Sequence, residues 1–137
     1  SSGVVARSVS DTGTGGSIVV GALDDVIAEG LGADAIAVAS LGAAGAGNID
    51  VTFDGATLQG GDGTGVALRM EGGSANTFVN RGAMSSLSGN VIAATTGNDT
   101  VTNFGTFTGN FDLGTGINAF GNTPAELSKW MTGEIAR

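Results

Sequence analysis

A short strand-like unit recurs five times along this chain, and the repeat constrains the fold more than any other feature. Each copy is built mainly from small or apolar residues. The copies are Gly3-Val4-Val5-Ala6, Ala35-Ile36-Ala37-Val38, Gly65-Val66-Ala67-Leu68, Asn90-Val91-Ile92-Ala93 and Asn110-Phe111-Asp112-Leu113, with spacings of 32, 30, 25 and 20 residues. Short strands in fixed order at such periods are typical of solenoids, in which each coil buries its apolar face against the next.

A second unit follows each copy of the first, and a third follows the middle copies. The second unit is Ser17-Ile18-Val19-Val20, Asn48-Ile49-Asp50-Val51, Asn76-Thr77-Phe78-Val79, Asp99-Thr100-Val101-Thr102 and Asn118-Ala119-Phe120-Gly121. The third is Ala56-Thr57-Leu58, Ala83-Met84-Ser85 and Thr106-Phe107-Thr108. The pattern predicts an all-β solenoid of about five coils over residues 1–122, with equivalent strands stacked in parallel about 4.8 Å apart. The residues expected in its core are Val66, Leu68, Phe78, Ile92, Phe107 and Phe120.

Asparagines close the second unit in three successive copies. They are Asn80, Asn103 and Asn122, and we expect them to stack at one corner as a ladder of bonded amides. Glycine follows two residues after Asn80 and Asn103, and Asp54-Gly55 holds the corresponding place one coil earlier. Asn and Asp suit such corners because they tolerate left-handed backbone geometry and bond nearby peptide groups.

The last fifteen residues depart from the repeat and predict a short C-terminal helix over residues 123–137. Thr123 suits the N-cap and Pro124 the first helical position, with Glu126 three residues after Thr123. An apolar face follows, consisting of Leu127, Trp130, Met131 and Ile135. We interpret the helix as a cap in which Trp130 rests on the last coil. The alternative is a docking helix that uses Trp130 to anchor another chain.

Composition excludes several kinds of partner. The chain has 137 residues, which suits one domain, and a net charge of −8 with five basic residues. The basic patch that nucleic acids require is therefore missing. No apolar run reaches the roughly 20 residues needed to span a bilayer. Because no basic segment precedes the repeats, we expect any signal peptide to have been removed already, or the chain to be a fragment.

Few residues offer catalytic or metal-binding chemistry. The chain has no His, Cys or Tyr, which excludes histidine-assisted nucleophilic catalysis and a conventional zinc site. A glycosidase-like acid pair stays open only if the fold brings two of its acids together. The candidates are Asp24, Asp25, Asp50, Asp54 and Asp62, which we interpret as solvated loop acids.

We expect no cofactor and no dedicated metal site, and incidental calcium at Asp62 or Asp99 stays open because each lies in half of a calcium-repeat motif. We expect Arg69 and Arg81 to pair with nearby acids.

Three stretches resemble the repeats of bacterial autotransporter passenger domains. They are 72–82 (GGSANTFVNRG), 97–114 (GNDTVTNFGTFTGNFDLG) and 35–42 (AIAVASLG). The resemblance implies a right-handed parallel β-helix that is secreted through the outer membrane and displayed at the surface of a Gram-negative bacterium. It leaves open whether the chain is complete or part of a longer passenger.

These observations lead to the hypothesis of a non-enzymatic structural or adhesive β-solenoid outside the cell. Its partner would be a surface glycan, a protein ligand or another copy of the chain. One alternative is a carbohydrate-acting β-helix enzyme that uses acidic residues. The other is a self-assembling fibre subunit, because the first coil would expose unpaired strand edges.

Overall fold

The computed structural model describes residues 2–123, and within them it contains fourteen β-strands and no helix. The strands are β1 Val4–Ser10, β2 Ile18–Ala22, β3 Val26–Ile27, β4 Ile36–Gly42, β5 Ile49–Phe53, β6 Thr57–Gly60, β7 Leu68–Gly72, β8 Ala75–Asn80, β9 Ala83–Ser86, β10 Asn90–Ala94, β11 Asn98–Asn103, β12 Thr106–Phe107, β13 Asn110–Asp112 and β14 Ala119–Asn122. None of the described residues forms a helix long and apolar enough to cross a membrane.

The strands form three parallel sheets. The first sheet has the order β1-β4-β7-β10-β13, the second β2-β5-β8-β11-β14 and the third β3-β6-β9-β12. Each strand from β1 to β11 therefore pairs with the one three places later in the chain, so that three consecutive strands form one coil that stacks on the next. This arrangement is consistent with the predicted β-solenoid, and it would not arise from antiparallel hairpins.

A single apolar core runs between the three sheets. Alternate side chains of each middle strand point inward, as the period of two along a strand requires. Ile36 and Leu68 pair in register in the first sheet, as Val51 and Phe78 do in the second, and all four are fully buried. Stacking thus places like side chains on top of one another from coil to coil.

Four of the six predicted core residues are buried, namely Val66, Leu68, Phe78 and Ile92. Phe107 and Phe120 are only partly buried. The prediction of burial is wrong for these two because β12 and β14 end their sheets, so that no later strand covers them within the described residues. They pack instead on each other, with ring centroids 5.2 Å apart in an edge-to-face arrangement.

The register differs from the sequence alignment of the repeats at several points. Ile36 pairs with Leu68 and not with Val66, because Val66 lies in the turn before β7. A β-bulge at Val91 pairs Phe111 with Ile92. In the second sheet Asp50 pairs with Thr77, one residue from the expected position. The third sheet also begins earlier than predicted, with Val26 paired to Leu58.

The corners work differently from the expectation of left-handed Asn residues. Among residues 2–123 no residue other than glycine has a positive φ. Asn80 and Asn103 therefore act through their side chains. Gly82 allows close stacking, since a Cβ there would lie 2.6 Å from Cε2 of Phe53. Asp54, which we expected to match Asn80, corresponds to Arg81, and the register partner of Asn80 is Phe53.

The predicted C-terminal helix falls almost wholly outside the residues that the structure describes. Residues 124–137, which include most of the predicted capping helix and Trp130, lie outside the described residues. Thr123 is described, and its N–H donates to the carbonyl of Asn103 at 2.8 Å. The last described residue is therefore bonded at the corner where the asparagines lie.

Candidate functional site

The corner asparagines form a ladder inside the stack. Asn80 Nδ2 donates to Asn103 Oδ1 at 2.7 Å, and Asn103 Nδ2 donates to Asn122 Oδ1 at 2.8 Å. The same nitrogens donate to the carbonyls of Gly82 at 2.9 Å and Gly105 at 3.2 Å. Asn80 and Asn103 are buried, so these bonds satisfy groups that water does not reach. These contacts are those of the expected ladder. The contribution of the ladder to stability stays a prediction, which substitution of Asn103 would test.

A second polar column, which the sequence analysis did not predict, lies at the other end of the same strands. Asn76 and Asp99 pair in register, and Asn118 follows in the next coil. Asn76 Oδ1 accepts from the N–H of Ile49 at 3.2 Å, and Asn118 Oδ1 accepts from the N–H of Asp99 at 2.9 Å. The available signal was a polar residue at the head of the unit, but all five copies begin with one, so it does not distinguish the column from the exposed Asn48.

The first sheet presents a surface with alternating large and small side chains. One outward row runs Val5, Ala37, Arg69, Ala93 and Asp112, each paired in register with the next. The alanines leave a shallow groove on either side of Arg69. The groove over Ala37 and Ala39 has a volume of about 220 Å³ and runs between Val5 and Arg7 on one wall and Arg69 and Glu71 on the other.

Arg69 separates the two grooves and is held by a carboxylate. Its Nε lies 2.7 Å from Asp34 Oδ2, and its Nη2 donates to Asp34 Oδ1 at 3.2 Å and to the carbonyl of Thr64 at 2.8 Å. Asp34 is buried and also accepts from the N–H of Val66. The hydrogen bonds that Arg69 donates to Asp34 raise the pKa of Arg69, which keeps the guanidinium charged.

The second arginine named in the sequence analysis also pairs as expected. Arg81 Nη1 lies 3.2 Å from Asp54 Oδ1, and its guanidinium carbon lies 5.6 Å from the centroid of the Phe104 ring. Both side chains are well exposed, so this pair lies on the surface.

The candidate acids accept hydrogen bonds from groups near them in the fold. Asp25 accepts from the backbone of Ala56 and Thr57, Asp50 from the Thr77 hydroxyl, and Asp62 from the N–H of Gly63. Within residues 2–123 no three side chains of the His, Cys, Asp and Glu types cluster in a way that would hold a metal ion. The acids that do share a groove are Asp34 and Glu71, which the sequence did not single out.

Comparison with known proteins adds no relative. No family model matches the chain, and neither does any curated protein or any solved structure.

Proposed function

We propose that this chain is a structural and adhesive module of a bacterial surface protein, with no enzymatic activity. In this proposal it is a right-handed parallel β-helix of about five coils, of the autotransporter passenger type, displayed outside a Gram-negative bacterium. It acts as a rigid stalk whose outer face meets a surface glycan or a protein ligand.

The observation that carries the proposal is the continuity of the interior along the stack. Apolar side chains pair from coil to coil through the core, and side-chain amides connect successive coils at a corner. Every coil is therefore held to its neighbours by backbone pairing and packing, and the last three coils are also joined by the amide ladder. A chain built this way resists bending and local opening, which suits a spacer that holds a surface away from a cell.

The adhesive part of the proposal rests on the groove over Ala37 and Ala39. Its floor is methyl groups, while Arg7, Arg69 and Glu71 supply charge at its walls. A floor of small side chains admits an extended ligand along the strand direction, and the wall charges give it polar partners.

Localisation can be tested with antibodies raised against the chain. We expect labelling of intact source cells and release of the label by external protease. Labelling that requires permeabilised cells would contradict display at the surface.

Ligand binding can be tested by placing the purified chain on arrays of surface glycans and extracellular proteins. Ala37→Gln puts a long polar side chain on the groove floor, and Ala119→Gln is the matched control on the outer face of the second sheet. We expect any ligand that the chain binds to be lost with Ala37→Gln and retained with Ala119→Gln. Equal binding by both variants would exclude the groove.

A carbohydrate-acting enzyme is the second candidate, because Asp34 and Glu71 line one groove together with Arg7 and Arg69. A glycosidase needs one carboxyl that gives a proton and one that acts as base or nucleophile. Both oxygens of Asp34 accept hydrogen bonds from Arg69, so this carboxylate is already engaged in an ion pair. Polysaccharide cleavage that is lost in Glu71→Gln and retained in Glu29→Gln, a change of an exposed loop acid, would favour the enzyme over the stalk.

A further inference from the structure

Asp99 is the one carboxyl in a column of amides. It lies between Asn76 and Asn118 in the second sheet and is fully buried. Its Oδ1 accepts from Asn76 Nδ2 at 2.8 Å. Its Oδ2 is buried and receives no hydrogen bond from any group in residues 2–123. An ionised carboxylate accepts only, and leaving one oxygen unbonded in the interior is costly.

The two amides of the column show what the position of Oδ2 requires. In both, Oδ1 accepts a bond from the preceding coil, while Nδ2 donates to the carbonyl four residues earlier in its own turn. Those carbonyls belong to Gly72 for Asn76 and to Gly114 for Asn118. In Asp99 the bond from the preceding coil comes from the side chain of Asn76 and not from a backbone N–H, and it is Oδ1 that accepts it. This leaves Oδ2 in the place of the donor atom of the two amides.

We propose that Asp99 is an internal proton-binding site, in which the side chain fills its place as a neutral carboxylic acid with the proton on Oδ2. The proton comes from solvent and returns to it when the carboxyl ionises. With the proton bound, Asp99 is a donor and an acceptor, as a side-chain amide is. Without it, a charge is left inside the stack, and the coils on either side of β11 are destabilised.

The surroundings of Asp99 agree with this assignment. Burial raises the pKa of its carboxyl, and the hydrogen bond from Asn76 lowers it by less. The charged groups on the elements packed around it all lie on the outer faces of the sheets or in the corner after β8. They are Asp50, Arg69, Glu71, Arg81 and Asp112. None of them bonds to Asp99, so burial is the main cause of the raised pKa.

The sign of the pH dependence follows from the direction of the shift. The folded protein binds this proton more tightly than the unfolded chain, whose Asp pKa is about 3.9. The stabilisation is therefore complete below about pH 3.9 and is lost as the pH rises through the raised pKa of the folded state. Between the two values the folding equilibrium constant falls by up to about tenfold per pH unit.

The test compares melting curves of the wild type, Asp99→Asn and Asp50→Asn from about pH 3 to about pH 8. Asp99→Asn supplies a permanent donor, and Asp50→Asn removes an equal charge from the outer face of the same sheet. We expect Asp99→Asn to melt above the wild type at neutral pH and to lose the difference in acid. We expect Asp50→Asn to keep the pH profile of the wild type. The proposal is wrong if Asp99→Asn keeps that profile too, or melts below the wild type at neutral pH.

A measurement on the wild type keeps the proposal testable if Asp99→Asn does not fold. The ¹³Cγ shift of Asp99 can be followed by NMR as the folded chain is titrated. We expect its midpoint to lie above the ordinary Asp value of about 3.9. A midpoint at or below that value would show an ionised carboxylate in the fold and would overturn the proposal.

Discussion

The second sheet carries apolar side chains at one end of the stack and polar ones at the other. At the start of its strands, the register-equivalent residues are Ile18, Ile49, Asn76, Asp99 and Asn118. At the end of its strands they are Ala22, Phe53, Asn80, Asn103 and Asn122. The backbone pairing is parallel throughout the sheet. Equivalent positions nevertheless carry apolar side chains in the first two coils and polar side chains in the last three.

The change coincides with a shortening of the coils. Ile36 pairs with Leu68, 32 residues later, whereas Ile92 pairs with Phe111, 19 residues later. A shorter coil has fewer side chains to bury, so burial contributes less to its stability. Buried amides add to the stability of one register, because slipping by one residue leaves their polar atoms without partners. We infer that packing holds the long coils and directional bonds hold the short ones.

The largest effect is expected from Phe53, the last apolar side chain before the ladder. Its ring is fully buried beside the corner glycines Gly55 and Gly82. Phe53→Ala should lower the free energy of unfolding by about 3–5 kcal/mol because it leaves a cavity. Chemical denaturation measures this, with Val19→Ala on the exposed face of β2 as control. A loss below about 1 kcal/mol would mean that packing does not hold the long coils.

The second-largest loss in the free energy of unfolding is expected from Asn103, the middle amide of the ladder. Asn103→Ala removes the acceptor of Asn80 and the donor to Asn122. The free energy of unfolding should fall by about 1–3 kcal/mol, the cost of buried groups left unsatisfied. Asn110→Ala, an exposed position in β13, is the matched control and should change little. Equal effects of the two substitutions would remove the distinction between the two ends of the stack.

The all-β fold of the chain could be predicted from its sequence because the strand-like units repeat. Parallel stacking, the inward apolar positions and the three corner asparagines all follow from period and residue type. The exact register does not. A bulge at Val91 and the placement of Val66 in a turn each shift the pairing by one or two residues, and neither leaves a sign in the local composition.

The candidate site was predicted less well. The two grooves depend on which outward residues align between coils, so Ala37 and Ala93 become the floors of separate grooves only once Arg69 is known to lie between them. The pair of Asp34 with Arg69 joins residues 35 positions apart, and only the register brings them together. Asp99 was considered for calcium, and its burial became apparent only in the structure.

Removing the ion pair of Asp34 and Arg69 tests whether the first sheet has a side-chain link of its own between coils. Arg69→Met keeps much of the side-chain volume but leaves the buried carboxylate without its partner. We expect a loss of about 1–2 kcal/mol in the free energy of unfolding. Arg7→Met, on the exposed outer face of β1, is the control and should change it by less than about 0.5 kcal/mol. If both variants behave alike, the long coils depend on packing only.

The smallest effect is expected from Arg81. Its ion pair with Asp54 links the same two coils as the register pair of Phe53 and Asn80. It resembles Arg69 in joining a carboxylate of the preceding coil, but its side chain is 50% exposed and that of Asp54 is 37% exposed. Water and salt screen such a pair, so Arg81→Met should cost no more than about 1 kcal/mol.

Denaturation at low and at high salt measures the difference between the two arginines. The cost of Arg81→Met should vanish at high salt, whereas most of the cost of Arg69→Met should remain because Asp34 is buried. A salt-independent loss at Arg81 would mean that its contact with the Phe104 ring, and not the ion pair, connects the apolar coils to the amide ladder.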